Sequence, residues 1–271
     1  MKYQLATAAA LLCWAMPAAA QDAAPKPVTI SGSVTLATDY RFRGVSQSDK
    51  GMAIQGGFTV THESGAYVGT WGSNLAGWGT FGGANTELDL FGGFKLPLGG
   101  GGALDAGVTW YMYPAGADKT DFAEPYVKLS TTLGPVSILG GVAYAPEQQA
   151  LGNWSNTPQS KIGDKEDNLY LWGDASTAIP GTPVTLKAHL GYSKGNPGLG
   201  PNGTSLAPTG EYADWLLGAD YVLGPVVLGL AYVDTDISKR EAAYLQPNFS
   251  STKNGSSIAG SRLVVSISAA F

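Results

Sequence analysis

Apolar and polar residues alternate with a period of two along most of the chain. Successive side chains of a β-strand point to opposite faces, so this pattern predicts strands with one apolar and one polar face. About twelve such stretches occur, each roughly ten residues long, the length that a tilted strand needs to cross a bilayer. They span residues 29–43, 52–62, 66–74, 86–96, 103–113, 122–132, 136–144, 167–177, 182–192, 212–222, 226–235 and 262–271.

The connections between these stretches alternate between short and long. The short ones are His62–Gly65, Pro97–Gly102, Leu133–Pro135, Ile179–Gly181 and Leu223–Pro225. The long ones, rich in Gly, Asn, Ser and Asp, are 44–51, 75–85, 114–121, 145–166, 193–211 and 236–258. Outer-membrane barrels have an even number of strands, short periplasmic turns and long extracellular loops. We therefore predict an all-β fold, a transmembrane antiparallel up-and-down β-barrel of about twelve strands.

The start of the chain is typical of an export signal. A basic residue, an apolar run and three alanines come before residue 21, and the run is too short to span a bilayer. We expect residues 1–20 to be a cleaved signal peptide, residues 21–27 a periplasmic lead-in, and residues 28–271 a single barrel domain. The only cysteine, Cys13, lies in the signal, so we expect no disulfide in the mature protein.

Composition excludes other classes. Hydrophobic residues make up 44% of the chain and the net charge is only -5, which argues against disorder. No basic run is present, so nucleic acid is not an expected partner. The sequence has no G-x-S-x-G elbow and no Gly-rich loop leading into a helix. The acidic stretch Asp164–Asp167 lacks the spacing of a calcium loop. We therefore expect neither an enzyme nor a cofactor or metal site.

The chain ends on an aromatic residue, Phe271, which closes an alternating strand. Bacterial outer-membrane proteins usually end in this way, and the barrel-assembly machinery recognises the terminal strand. We expect Phe271 to be the assembly signal, with the machinery and outer-membrane lipid as partners and the outer membrane of a Gram-negative cell as the location. Other rings near strand ends are expected to form interfacial girdles: Tyr40, Phe42, Trp110, Tyr113, Tyr192 and Tyr221.

Several segments resemble one family. Residues Ser33–Ser48, SVTLATDYRFRGVSQS, are followed by Gln55–Phe58 and Gly69–Asn74. With shorter pieces such as Glu124–Val127, they are similar to TorF-family porins, the Gcw_chp group of proteobacterial outer-membrane proteins. The resemblance covers about residues 28–271 and implies an outer-membrane barrel with a pore. The family's pore function is itself a prediction, so the resemblance implies no particular solute.

Residues of the polar parity are expected to face the lumen if the apolar parity faces lipid. The candidate lumen residues are Asp39, Arg41, Arg43, Glu87, Asp89, Lys95, Asp105, Glu124, Tyr126, Lys128, Tyr170, Trp172, Asp174, Lys187, His189, Asp214, Asp220 and Arg262. Charges that line a pore set its ion preference, so we predict a porin-like channel for ions or small solutes through a narrow charged lumen. Two alternatives remain: a non-conducting barrel that acts through its long loops, and a secreted soluble β protein.

Two arginines are the basis of a separate hypothesis about a constriction in the lumen. Arg41 and Arg43 lie two residues apart on one predicted face, just before the first long loop. The pair is a candidate constriction that attracts anions. The alternative, which we slightly favour, is a salt bridge to Asp39, Glu87 or Asp89.

Overall fold

The twelve-stranded antiparallel barrel that the sequence predicts is confirmed. A computed structural model describes residues 27–77, 81–117, 119–152, 163–198 and 206–271. Within these ranges the strands form one closed antiparallel barrel. The predicted signal peptide, residues 1–20, and all but the last residue of the 21–27 lead-in lie outside the described residues. No helix in the described part of the chain is long and apolar enough to cross a membrane.

Twelve strands form the barrel wall, and two short strands, β2 and β3, form an inner hairpin. In chain order the strands are β1 (Val28–Ala37), β2 (Arg41–Phe42), β3 (Val45–Ser46), β4 (Ala53–His62), β5 (Ala66–Asn74), β6 (Thr86–Gly99), β7 (Gly102–Met112), β8 (Phe122–Leu133), β9 (Val136–Gln148), β10 (Glu166–Ala178), β11 (Val184–Gly195), β12 (Glu211–Leu223), β13 (Val226–Thr235) and β14 (Arg262–Ala270). Wall strands pair with their neighbours in sequence, and β1 closes the sheet by pairing with both β4 and β14.

The two ends of the barrel differ in their connections. The short connections after β4, β6, β8, β10 and β12 lie at the same end as the start of β1 and the end of β14. We call this the turn end, and the opposite end, which carries the long connections, the loop end. The predicted sorting of short turns and long loops is therefore present in the structure.

The alternation places apolar side chains on the outer face of the wall. On β14, Leu263 and Val265 are exposed, whereas Val264 between them is buried inside. Of the six rings that were predicted to form interfacial girdles, three are exposed on the outer face: Trp110, Tyr192 and Tyr221. The girdle prediction is wrong for Tyr40, Phe42 and Tyr113, which are all buried in the barrel interior.

The first strand is shorter than predicted, and this changes the interior. β1 ends at Ala37 instead of continuing to residue 43, and residues 38–52, which we call the inner segment, fold into the loop end of the barrel. The chain reverses at Arg43 (φ 47°) and Gly44 (φ 80°). Two successive positive φ angles suit a tight hairpin turn, for which glycine is favoured. The alternation between residues 38 and 43 therefore belongs to a buried hairpin and not to the wall.

Several wall glycines allow an aromatic ring to lie flat on the inner or outer surface. The Trp172 ring covers Gly141 on β9, and the Phe91 ring covers Gly69 on β5, so neither position has room for a Cβ atom. Where such rings lie inside, they fill the lumen without pushing the strands apart. Close approach of another group is one of the reasons for glycine within a strand.

Candidate functional site

The lumen is the only candidate site that the sequence predicts, and the structure brings most of the predicted residues together there. Those that are buried inside the barrel are Asp39, Arg41, Arg43, Glu87, Asp89, Asp105, Glu124, Lys128, Tyr170 and Asp214. Those with intermediate exposure are Lys95, Tyr126, Trp172, Asp174, Lys187, His189 and Asp220, and Arg262 is exposed at the loop end. Lumen charges of opposite sign mostly lie in direct contact with each other.

Arg43 holds the tip of the inner segment to the wall. Its Nη2 atom donates to both carboxylate oxygens of Glu124 on β8, at 2.7 Å each. The guanidinium also lies over the ring of Tyr170 on β10, 4.0 Å from the centroid. On the other side, the Tyr212 hydroxyl donates to the Arg43 carbonyl oxygen at 3.0 Å. The turn is thereby connected to β8, β10 and β12 at once.

Arg41 is fixed by acceptors of the loops. Its Nε atom donates to Asp39 Oδ2 at 2.7 Å. Its Nη1 atom donates to the carbonyl oxygens of Gly44, Ile258 and Gly260, at 2.9, 3.1 and 2.9 Å. The predicted strand face that carries both arginines does not exist, because both residues lie in the inner segment. Each arginine forms a salt bridge, Arg41 with the expected Asp39 and Arg43 with Glu124, which the sequence did not suggest as its partner.

Glu87 and Asp89 are the other acidic residues at this level. They lie on the inner face of β6, 0% and 2% exposed, and no Lys, Arg or His among the described residues forms a salt bridge with either. The Tyr40 hydroxyl donates to Glu87 Oε2 at 3.0 Å. Glu87 Oε1 and Asp89 Oδ1 are buried without a hydrogen-bond partner. Burial of carboxylates without a counter-ion costs free energy, so these two groups differ from every other acidic side chain in the lumen.

Aromatic packing closes the loop-end half of the lumen. Phe42 of the inner segment meets Tyr111 of β7 edge-on at 6.0 Å between ring centroids, and Tyr111 stacks on Phe122 at 4.6 Å. Tyr40 contacts Trp71 of β5 edge-on at 5.5 Å. These rings belong to one buried cluster that crosses the barrel. The loop-end half is consequently packed like a protein core.

The turn-end half of the lumen contains ion pairs that are closer to water. Lys187 Nζ of β11 lies 2.7 Å from Asp220 Oδ1 of β12, with 9% and 15% of the two side chains exposed. Lys128 Nζ lies 3.1 Å from Asp105 Oδ2. The Tyr67 hydroxyl donates to the other oxygen of Asp105 at 2.6 Å. Polar groups therefore line the wall here, and none of the described residues forms an inserted segment between them.

His189 connects the two halves. Its Nδ1 atom lies 2.7 Å from Asp174 Oδ1. Its Nε2 atom lies 2.9 Å from the Tyr170 hydroxyl and 3.2 Å from Asp214 Oδ1. Because Tyr170 is also the ring beneath Arg43, a continuous polar contact path runs from mid-lumen to the tip of the inner segment.

A small cavity lies beside the Lys187 pair. It has a volume of about 40 Å³, and its lining includes Lys187, Gln55, Leu216 and Ser266. Gln55 Nε2 is buried without a partner. The wall on this side carries small residues such as Gly229, so space remains that the rings fill elsewhere.

Contacts between loops hold the inner segment at the loop-end mouth. Lys50 Nζ donates to Ser256 Oγ at 2.5 Å, and Lys253 Nζ donates to the Asp49 carbonyl oxygen at 2.8 Å. Partial burial, with repulsion from Arg41, lowers the pKa of Lys50 below its usual value. The inner segment is thus also held from above, by the last long loop.

Sequence reasoning missed the inner segment and the rings that surround it. Trp71, Tyr67 and Tyr111 face the lumen, yet none of the three was among the candidate lumen residues. One local signal was available: Arg43-Gly44 between Phe42 and Val45 is a tight-turn dipeptide between apolar residues. No comparable signal in the sequence identifies Glu124 as the partner of Arg43.

The described residues contain no cluster of three or more side chains suited to bind a metal ion. What remains is a closed antiparallel barrel with an apolar outer face, a polar interior and loops sorted by length, and these features define the class of outer-membrane β-barrels. The chain belongs to the Gcw_chp family, described as bacterial proteins of unknown function, whose sequence model matches residues 20–271.

Solved structures support the class at the level of the fold. The NanC porin is similar with a TM-score of 0.54 and 11% identity, over 90% of this chain and 99% of the porin. A membrane protein studied for its in-meso crystallization has a TM-score of 0.50 and 10% identity, over 89% of this chain and 83% of that protein. A search of curated proteins found no match.

Proposed function

We propose that this protein is a porin-like channel of the outer membrane, through which ions or small solutes diffuse passively. The observation that carries the proposal is the lumen itself: charged residues of both signs line it, and Lys187, which is paired with Asp220, borders a cavity of about 40 Å³. The fold likeness to the NanC porin and the TorF-family resemblance support the same function. The proposal makes the turn end periplasmic and the loop end extracellular, and it assigns no catalytic residue.

A specific observation favours the second candidate, a non-conducting barrel that acts through its loops. The rings of Phe42, Tyr111 and Phe122 close the loop-end half of the lumen. Under the channel proposal, the inner segment narrows the path, and solutes pass only when it shifts.

Planar-bilayer conductance tests the two candidates. The sample is first shown to be folded by heat-modifiable migration on a gel. We expect small channel steps from the wild type and larger steps from Phe42→Ala, because the ring that crosses the lumen is removed. Trp110→Ala is the matched control, since it removes an aromatic ring from the outer face and leaves the lumen unchanged. Absence of steps from both the folded wild type and folded Phe42→Ala would establish the non-conducting barrel.

The proposal includes export and assembly. Residues 1–20 would be removed on export, and Phe271 would serve as the signal to the assembly machinery. Backbone hydrogen bonds of 2.9 and 3.0 Å join Phe271 to Gly32 at the seam, and 74% of Phe271 is exposed. We expect Phe271→Ala to lower the amount of folded protein in the outer-membrane fraction. An unchanged amount would remove the assembly role from Phe271.

A further inference from the structure

Several basic groups in the lumen are paired with carboxylates, and two buried acidic groups have no basic partner. Arg43 and Lys187 each lie 2.7 Å from a carboxylate, and Lys128 lies 3.1 Å from one. By contrast, Glu87 and Asp89 share the inner face of β6, and no positively charged side chain of the described residues forms a salt bridge with them. The acidic groups of the loop-end half that lack a basic partner are therefore concentrated at one place.

Aromatic residues flank these two carboxylates. Asp89 is directly opposite Trp71 on β5 and directly opposite Tyr111 on β7. Directly opposite residues on one face of a sheet have Cβ atoms about 5 Å apart, so the carboxylate lies between two rings. Tyr40 of the inner segment covers the pair, with its hydroxyl on Glu87 and its ring against Trp71.

Elsewhere in the lumen, a carboxylate and aromatic rings together bind a positively charged side chain. The guanidinium of Arg43 binds the Glu124 carboxylate and lies over the rings of Tyr170 and Phe42, at 4.0 and 4.9 Å from their centroids. A carboxylate together with aromatic faces is the combination that binds organic cations in proteins. Glu87 and Asp89 likewise lie next to aromatic residues, Trp71 and Tyr111, and no basic side chain of the described residues is paired with them.

We propose that Glu87 and Asp89, flanked by Trp71 and Tyr111, form a binding site for a small monovalent cation, either an alkali ion or the primary ammonium group of a solute. Glu87 Oε1 and Asp89 Oδ1, the two oxygens without a partner, are the ligand atoms. The cation reaches them when it displaces the Tyr40 hydroxyl. The site makes the lumen selective for cations over anions, and this second part rests on the proposed channel function.

Cation-dependent stability tests the site without any need for conduction. The thermal unfolding midpoint of the full folded chain is measured in detergent with methylammonium chloride, potassium chloride or N-methylglucamine chloride at equal ionic strength. We expect methylammonium or potassium to raise the midpoint of the wild type above its value in N-methylglucamine, whose bulky cation does not fit between the rings. The double variant Glu87→Gln/Asp89→Asn should lose this rise.

A matched control variant tests whether the rise in the unfolding midpoint depends on the two lumen carboxylates. Glu63→Gln/Glu147→Gln removes two carboxylates that are exposed at the surface, so the rise should remain as large as in the wild type. The double variant in the lumen removes two buried acidic groups that have no basic partner, and it is expected to fold at least as well as the wild type. A rise with methylammonium alone identifies an ammonium site, and an equal rise with potassium identifies a general monovalent-cation site.

The two measurements test the cation-binding site and the channel function separately. An equal midpoint shift in the wild type and the lumen variant, or no shift in either, overturns the site. In bilayers under a potassium chloride gradient, we expect the wild type to prefer potassium over chloride and the lumen variant to lose that preference. A preference that the variant retains overturns the selectivity. If the folded protein does not conduct, the channel proposal fails, and the stability measurement still decides the binding site.

Discussion

The two halves of the lumen are built on the same strands and differ in what fills them. At the loop end, the inner segment inserts Tyr40, Phe42 and Arg43, and the space is closed by aromatic packing. At the turn end, the described residues insert no segment, and the Lys187–Asp220 pair of the wall lies next to a small cavity. The closed barrel therefore fixes the shape of the wall, while the inner segment and the connections that pack on it fill the loop-end half of the interior.

The ion pairs of the two halves differ in how much of their side chains is exposed. The side chains of Arg43 and Glu124 are 6% and 4% exposed, whereas those of Lys187 and Asp220 are 9% and 15% exposed. A buried ion pair is costly to break because the remaining charge has no access to water. A pair beside a cavity large enough to hold water loses less, because water can replace the missing partner. The two halves should therefore respond differently to the same kind of substitution.

The largest effect is expected when the buried pair is broken. Glu124→Gln keeps the shape of the side chain but removes the charge that faces Arg43, and the guanidinium remains buried in the loop-end half. We expect the free energy of unfolding to fall by about 3–5 kcal/mol. Urea-induced unfolding and refolding in lipid vesicles measures this change. In bilayers the same variant should conduct more than the wild type, since the tip of the inner segment loses its strongest contact.

The control removes both charges. Arg43→Met/Glu124→Leu leaves an apolar pair of similar volume, and stability is expected to stay within about 1 kcal/mol of the wild type. A double variant as unstable as Glu124→Gln would mean that packing around Arg43, and not its charge, holds the inner segment.

A smaller effect is expected at the turn end. Asp220→Asn removes the carboxylate that faces Lys187, but the ammonium group borders the cavity and can be hydrated there. We expect a loss of about 1 kcal/mol in the free energy of unfolding, measured in the same way. A loss as large as that of Glu124→Gln would remove the distinction between the halves.

The sequence was sufficient to predict the wall strands because each of them has one face toward the outside of the barrel and one face toward its interior. Lipid outside and polar groups inside impose a strict alternation, and on β14 this gives the correct face for every residue from Leu263 to Ile267. Turn lengths were also readable, because short connections such as Leu133–Pro135 leave room for only a tight reversal. Both signals depend on neighbours in the chain, which a sequence displays directly.

The interior was less predictable because its contacts are between distant residues. The alternation from residue 38 to 43 suits a wall strand and a buried hairpin equally well, so Tyr40 and Phe42 were placed on the wrong face. The pairing of Arg43 with Glu124 joins residues 81 positions apart, across the barrel. Parity indicates that a side chain points inward, but it does not indicate which inward-pointing group lies on the opposite wall.

The smallest expected effect is a difference in salt dependence between the two pairs. The Debye length falls from about 10 Å at 0.1 M salt to about 3 Å at 1 M, and screening acts mainly on charges that water reaches. Double-mutant cycles with Lys187→Met and Asp220→Asn, and with Arg43→Met and Glu124→Gln, give the coupling energy of each pair at both salt concentrations. We expect the Lys187–Asp220 coupling to weaken by about 0.3–0.5 kcal/mol at high salt, as for partly exposed pairs. The Arg43–Glu124 coupling should stay constant within error, because the inner segment keeps ions away from it. If high salt weakens both couplings equally, ions reach the loop-end half, and the inner segment does not close it.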